Sequence, residues 1–188
     1  FLESFSISIT NQALVSERAW PAFLSPNFEV QATQWRKASL ADIIALAPIV
    51  TAEAMPLWES FSFENQAWIK DGLEYEGRLM EGEVVPSISP YIHPLTSNVS
   101  LGSGDDSNVC YLPLWQISPA PKDVSIVNFN LLNHQTFNRI VEFIYEYNEP
   151  VLSEVIDVQS LFGNAVNISD GHPRSLLVNP IRETFDDE

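Results

Sequence analysis

The sequence predicts an α+β domain: an N-terminal helix, a helical layer and a short antiparallel sheet. Three observations predict it. Phe137, Ile140, Val141, Ile144 and Tyr145 repeat at the spacing of one helical face. Cys110–Leu132 instead holds two strand-like runs, Tyr111–Ile117 and Val124–Phe129, around a Ser118-Pro119-Ala120-Pro121 corner. Finally, 188 residues with 45% hydrophobic content suit one domain with a sizeable core.

Phe1–Val15 places Leu2, Phe5, Ile9 and Ala13 near one helical face, and the Ile7/Ile9 alternation also fits a strand. The helix is preferred, either as a stalk over residues 1–19 or as a terminal helix packed on the core. Trp20–Val30 carries two prolines and three aromatics and reads as buried, extended chain. Ser39 then stands as the cap of a helix with Leu40, Ile43, Ile44 and Ala47 on its apolar face, ended by Pro48.

Thr51–Arg78 is the strongest helical region, in two parts capped by Thr51 and Ser62. Phe61, Asn65, Trp68, Ile69 and Leu73 share one side, and Glu64, Lys70, Asp71 and Glu74 the other. Leu79–Asn108 is mainly connection, with a short extended run at Val84–Ile92 and a polar surface loop at Thr96–Asn108. Asp105-Asp106 in that loop lacks the spacing and the downstream Glu of a calcium loop. In the organising stretch, Pro113, Pro119 and Pro121 cannot donate ladder hydrogen bonds, so its strands are expected to be short and partly at an edge. Asn133 then caps the helix ending near Asn148, Val151–Val158 and Ser175–Val178 read as strands, and Leu161-Phe162 lies in a turn closed by Gly163. Asp170-Gly171-His172-Pro173 is a turn, and Thr184–Glu188 an acidic end.

The formal net charge of −16 argues against nucleic acid and anionic lipid as partners, since both need a basic face. Cys110 is alone at the start of an apolar run, which suits a buried thiol and excludes a disulfide framework within the chain. The longest apolar run, Ile43–Val50, is far short of the about 20 residues of a membrane span. Without a basic-then-apolar leader or an initial Met, the chain reads as a piece of something longer. Asn98 and Asn167 open glycosylation triplets, and composition alone accounts for about two of these.

No catalytic or metal site is expected. His93, His134 and His172 lack ligand spacing, and Ser169, Asp170 and His172 are neighbours on one turn with no nucleophile elbow. Gly102-Ser103-Gly104 lacks the phosphate-loop pattern and its Lys, and no cofactor is expected. A ligand pocket is the more natural reading. Trp58, Trp68, Tyr111, Trp115 and Phe129 would line it, and Asn65, Asn128 and Asn130 would orient a small molecule by hydrogen bonds. Taken singly, each of these residues is more commonly core, cap or turn.

WPAFLSPNFEV, APIV, WESFSFENQAWIKDGL, YLPLWQISPAPKDVSIVNFNLL, VLSEV and PRSLLVNPI occur in that order. Together they resemble the extracellular region of diatom receptor-type guanylate cyclases, which lies between two membrane spans ahead of a cytoplasmic cyclase domain. The likeness runs from Trp20 to Ile181 and is most specific at Asn65–Leu73 and Leu112–Pro121. It implies a PAS-like (CHASE/Cache-like) sensor domain over residues 20–188, incomplete at its C-terminal end and left with an uncovered sheet edge. It also implies an unidentified small-molecule ligand, a homodimer in the full-length receptor, and a place on the extracellular face of the plasma membrane through flanking spans. Catalysis would belong to a cyclase domain outside this chain. The alternatives are the sensor ectodomain of a histidine kinase, or a secreted binding or adhesion protein.

Overall fold

A computed structural model describes residues 2–16, 20–80, 82–85, 87–94, 99–100, 109–121, 123–158 and 172–181. Helix α1 spans Leu2–Val15, and α2 spans Phe28–Ser39. Strands β1, Ile44–Leu46, and β2, Val50–Thr51, precede the helices α3, Met55–Glu64, and α4, Ala67–Tyr75. Next come β3, Val99–Ser100, β4, Val109–Tyr111, and β5, Gln116–Ser118. Helix α5, Gln135–Tyr147, and the strands β6, Val151–Ile156, and β7, Arg174–Val178, complete the described chain. The fold is α+β. Its strands form three small antiparallel sheets rather than the single sheet expected: β1–β5, β2–β4–β3 with β4 central, and β6–β7.

The expected helix at 1–15 forms, and its apolar face is docked. Phe5 and Ile9, one turn apart, are buried with Phe28 and Ala32 of α2. Gln12 fastens the other side of the contact: its amide donates to the Gln31 side chain at 3.1 Å and accepts from the Ser25 hydroxyl at 2.7 Å.

The stretch 20–47 departs from expectation. Phe28–Val30 opens α2 instead of continuing an extended run, and Ser39 ends that helix rather than starting one. Glu29 in the first turn and Arg36 and Lys37 in the last complement the helix dipole. Leu40 takes φ +59°, which stops the helix, and is 90% exposed, so it cannot belong to an apolar face. The Ile43-Ile44 pair leads into β1, where β-branched side chains suit a pleated strand better than a helix. Ala45 there faces Ile117 of β5 in register.

In the helical region that follows, Pro56 lies in the first turn of α3. Thr51 is in β2, and its hydroxyl accepts from the Ala54 N–H in the turn before that helix. Ser62 does not cap a second helix. It is buried inside α3, where its hydroxyl donates to the Pro90 carbonyl at 2.9 Å, and the break falls at Asn65-Gln66 instead. The expected sidedness of α4 holds: Trp68 and Ile69 are buried, whereas Lys70, Asp71 and Glu74 are exposed.

Tyr111–Ile117 is not one strand. It passes from β4 in one sheet to β5 in another, and the intervening Leu112–Trp115 is wholly buried. Val124–Phe129 is not a strand either. Val124–Ile126 forms a 3₁₀ turn capped by Asp123, whose carboxylate accepts from the Ser125 N–H at 2.9 Å. That hydrogen bond holds the Asp123 carboxyl below the usual aspartate range. Helix α5 starts one residue later than expected, with the His134 ring rather than Asn133 accepting from the Thr136 N–H, and Asn148 ends it at φ +55°. Both expected C-terminal strands form and pair as β6 and β7. Asn98, Asp105, Asp106, Leu161–Gly163, Asn167, Ser169–Gly171 and Thr184–Glu188 lie outside the described residues.

Two apolar clusters organise the interior. The larger gathers Val50, Trp58, Phe61, Trp68, Ile69, Leu114, Trp115, Val127, Leu132, Phe137 and Val141. The smaller joins α1 and α2 to Phe23 and Leu46. Helix α2 bridges them by packing on α4 and β5.

Trp115 is 1% exposed. Trp115→Ala is therefore expected to lower stability by about 3–5 kcal/mol, read as a lower urea midpoint at unchanged slope. Gly72 of α4 lies tight against the corner after β5, since a Cβ there would lie 2.9 Å from the Ala120 Cβ. Gly72→Ala gains about 1 kcal/mol of helix propensity but meets an overpacking cost of about 1–3 kcal/mol. Net destabilisation of up to about 2 kcal/mol is expected by the same measurement.

Candidate functional site

The residues singled out from sequence do converge, but inside the fold. Trp115 lies at the centre, with ring centroids 5.1 Å from Trp58, 5.8 Å from Trp68 and 5.8 Å from Phe61, mostly edge to face. Each of these rings is buried. Tyr111 is buried as well, opposite Val50 in the β2–β4 pair. Phe129 is half-buried, with its ring 6.1 Å from that of His93. Of the rings expected to line a receptacle, Trp58 and Trp68 pack on Trp115.

The asparagines are likewise taken up by the chain. Asn128 is fully buried at φ +64°. Its Oδ1 accepts from the Trp58 indole N–H at 3.1 Å, and its Nδ2 donates to the Ser62 hydroxyl at 3.3 Å and the Ser89 carbonyl at 2.9 Å. Its N–H donates to the Leu114 carbonyl at 2.7 Å, and its own carbonyl accepts from the His93 N–H at 3.1 Å. Asn130, also fully buried, accepts on Oδ1 from the N–H groups of Leu112 at 3.1 Å and Leu132 at 3.3 Å. Asn65 donates to the Phe61 carbonyl at 2.8 Å and closes α3. In this structure Trp68, Tyr111, Trp115, Asn128 and Asn130 serve core packing and backbone support. The Nε1 donors of Trp68 and Trp115 are buried with no acceptor among the described residues.

Sequence reasoning passed over three buried polar side chains. Gln116 clamps the 20–27 segment to β5, accepting from the Ser25 N–H at 2.8 Å and donating to the Ser25 carbonyl at 3.1 Å. Ser118 donates to Glu29 at 2.7 Å. Glu29 is 6% exposed, and desolvation raises its pKa above the ordinary glutamate value, reinforced by the Glu76 carboxylate. The Ser118 and Thr33 hydroxyls and the Arg36 guanidinium oppose that rise. The only available signal was position: Gln116 and Glu29 interrupt the apolar runs Leu114–Ile117 and Phe28–Val30.

An open groove of about 560 Å³ lies elsewhere, between α1 and the loop at residues 24–26. Ser8, Asn11, Gln12 and Ser16 supply amide and hydroxyl groups, and Val15, Leu24 and Pro26 supply apolar surface. Among the described residues no cluster of three His, Cys, Asp or Glu side chains is placed to hold a metal ion. No helix of the described residues is long and apolar enough to cross a membrane. Comparison with protein-family models, with curated proteins and with solved structures returned no match.

Removing the Asn128 amide strands the buried Trp58 indole N–H without its acceptor. Asn128→Ala is expected to cost about 2–4 kcal/mol. Its readout is a lower denaturation midpoint, and no ligand is needed to observe the loss.

Proposed function

We propose that this chain is the extracellular ligand-sensing domain of a transmembrane receptor-type guanylate cyclase, PAS-like in plan, which relays occupancy to a cyclase domain outside the chain. The observation that carries the reading is that the segments bearing the resemblance supply much of the core: Ala22 and Phe23, Val50, Trp58 to Ile69, Tyr111 to Leu132, and the β6–β7 pair.

With the aromatic cluster packed, the ligand in this reading occupies the groove beside α1. A mainly apolar molecule with few polar groups matches its lining, since Gln12 and Ser16 are already bonded within the chain. There it would touch the helix that leads toward the membrane, so occupancy would shift how α1 sits on Gln31 and Ser25. Relay requires only that the ligand bind one placement of α1 more tightly than another.

Sequencing the full-length transcript tests this reading. Apolar spans of about 20 residues are expected on both sides of the domain, with a cyclase domain after the second. A kinase domain would reassign the output, and a transcript encoding a secreted protein with no span would overturn the receptor reading.

A further inference from the structure

Glu29 occupies a three-way junction between α2, α4 and the corner that follows β5. Its Oε1 accepts from the Ser118 hydroxyl at 2.7 Å and the Thr33 hydroxyl at 3.0 Å, with an Arg36 Nη2 at 3.5 Å. Its Oε2 has no protein partner. That oxygen faces Gly72 of α4, where a Cβ would come within 3.4 Å of it, beside Ala120. One oxygen therefore receives three donors while the other is desolvated and unanswered. An ionised carboxylate in this position keeps part of its charge on an atom that nothing stabilises.

The charged surroundings are few. From α2 comes Arg36, whose Nη2 also reaches the Glu76 carboxylate at 3.8 Å and whose Nε is itself without a partner. From the end of α4 comes Glu76, paired with Arg78, which also donates to the Ala120 carbonyl. Residues 116–121 hold no ionisable group, and neither does β1. The one ionisable residue of α1, Glu3, is exposed, as are Lys37 of α2 and Lys70, Asp71 and Glu74 of α4. Arg36 is shared between two carboxylates, so it cannot fully answer Glu29.

We propose that Glu29 is a proton-linked latch: its protonated carboxyl lets α2 close on Gly72 of α4 beside Ala120, and its ionisation, by charging an oxygen that nothing there answers, slackens that contact while the Ser118 and Thr33 hydrogen bonds persist. The proposal stands apart from the receptor reading and holds whatever domain follows this one. The sign is set by burial, which keeps the Glu29 pKa above its ordinary 4.5. The folded state thus binds the proton more tightly than the unfolded chain. Its contribution to stability is complete below the ordinary value and is lost as pH rises through the raised one.

Two measurements on the whole chain test the latch. The first follows the Glu29 side-chain carboxyl carbon by NMR in the unaltered protein. A midpoint above the ordinary glutamate value is expected, rising further in Ser118→Ala, which removes a donor that favours the charged form. The second compares urea midpoints of the unaltered protein and Glu29→Gln from pH 4 to 8. The unaltered protein should lose ground to the variant as pH rises, then run parallel to it. Hydrogen exchange at Ala120 and in α4, taken as a ratio to the variant at the same pH, should rise over the same interval. A carboxyl midpoint at or below the ordinary value would overturn the proposal even if Glu29→Gln does not fold. So would stability curves that stay parallel throughout.

Discussion

One buried carboxamide holds the larger core in place. Asn128 has its N–H, its carbonyl and both ends of its side chain bonded to five groups from separate parts of the chain. Through them α3, the segment at residues 89–93 and the chain before β5 are tied to one point. Its positive φ is a conformation that asparagine tolerates better than most residues. The amide thus meets two demands together: the backbone turn after the 3₁₀ segment, and an acceptor for the indole of Trp58. Around this point Trp115 packs against three other rings, and the sheet fragments on either side need be only two or three residues long.

The same economy decides where function can reside. A cluster that supplies the apolar interior cannot also be an empty receptacle, because a close-packed core leaves few voids larger than a water molecule. An open groove lies where α1 leans on the 24–26 loop. That contact is held by amides and hydroxyls together with the Phe5–Ile9 face, and polar contacts of this kind are individually modest. Several of the nine Lys and Arg residues, including Arg36, Lys70, Arg78 and Arg174, already pair with carboxylates.

What could be read from the sequence was whatever depended on neighbours in the chain. α1, the two halves of the helical region, α5 and the strands β6 and β7 each carry their period within themselves. Leu40 shows the limit. Its spacing to Ile43, Ile44 and Ala47 matches a helix, yet the chain turns out at Leu40 and Ile44 pairs with Ser118, 74 residues away in sequence by 118 − 44. Val124–Phe129 has strand-like side chains, but the Asp123 cap and the φ of Asn128 curl it. The candidate site was legible as a grouping but not as a role: aromatic and amide residues that converge look alike whether they surround a ligand or each other. Glu29 and Gln116 were invisible because nothing local distinguishes a buried carboxyl or amide from a solvated one.

The most direct measurement of the Asn128 node is hydrogen exchange of the tryptophan indole protons, resolved one by one by NMR. The Trp58 proton, bonded to Asn128 and fully buried, should exchange only with global unfolding, orders of magnitude more slowly than that of the half-exposed Trp20. Exchange of the Trp58 proton at a rate close to that of Trp20 would mean that the bond does not persist and that the core is not held as described.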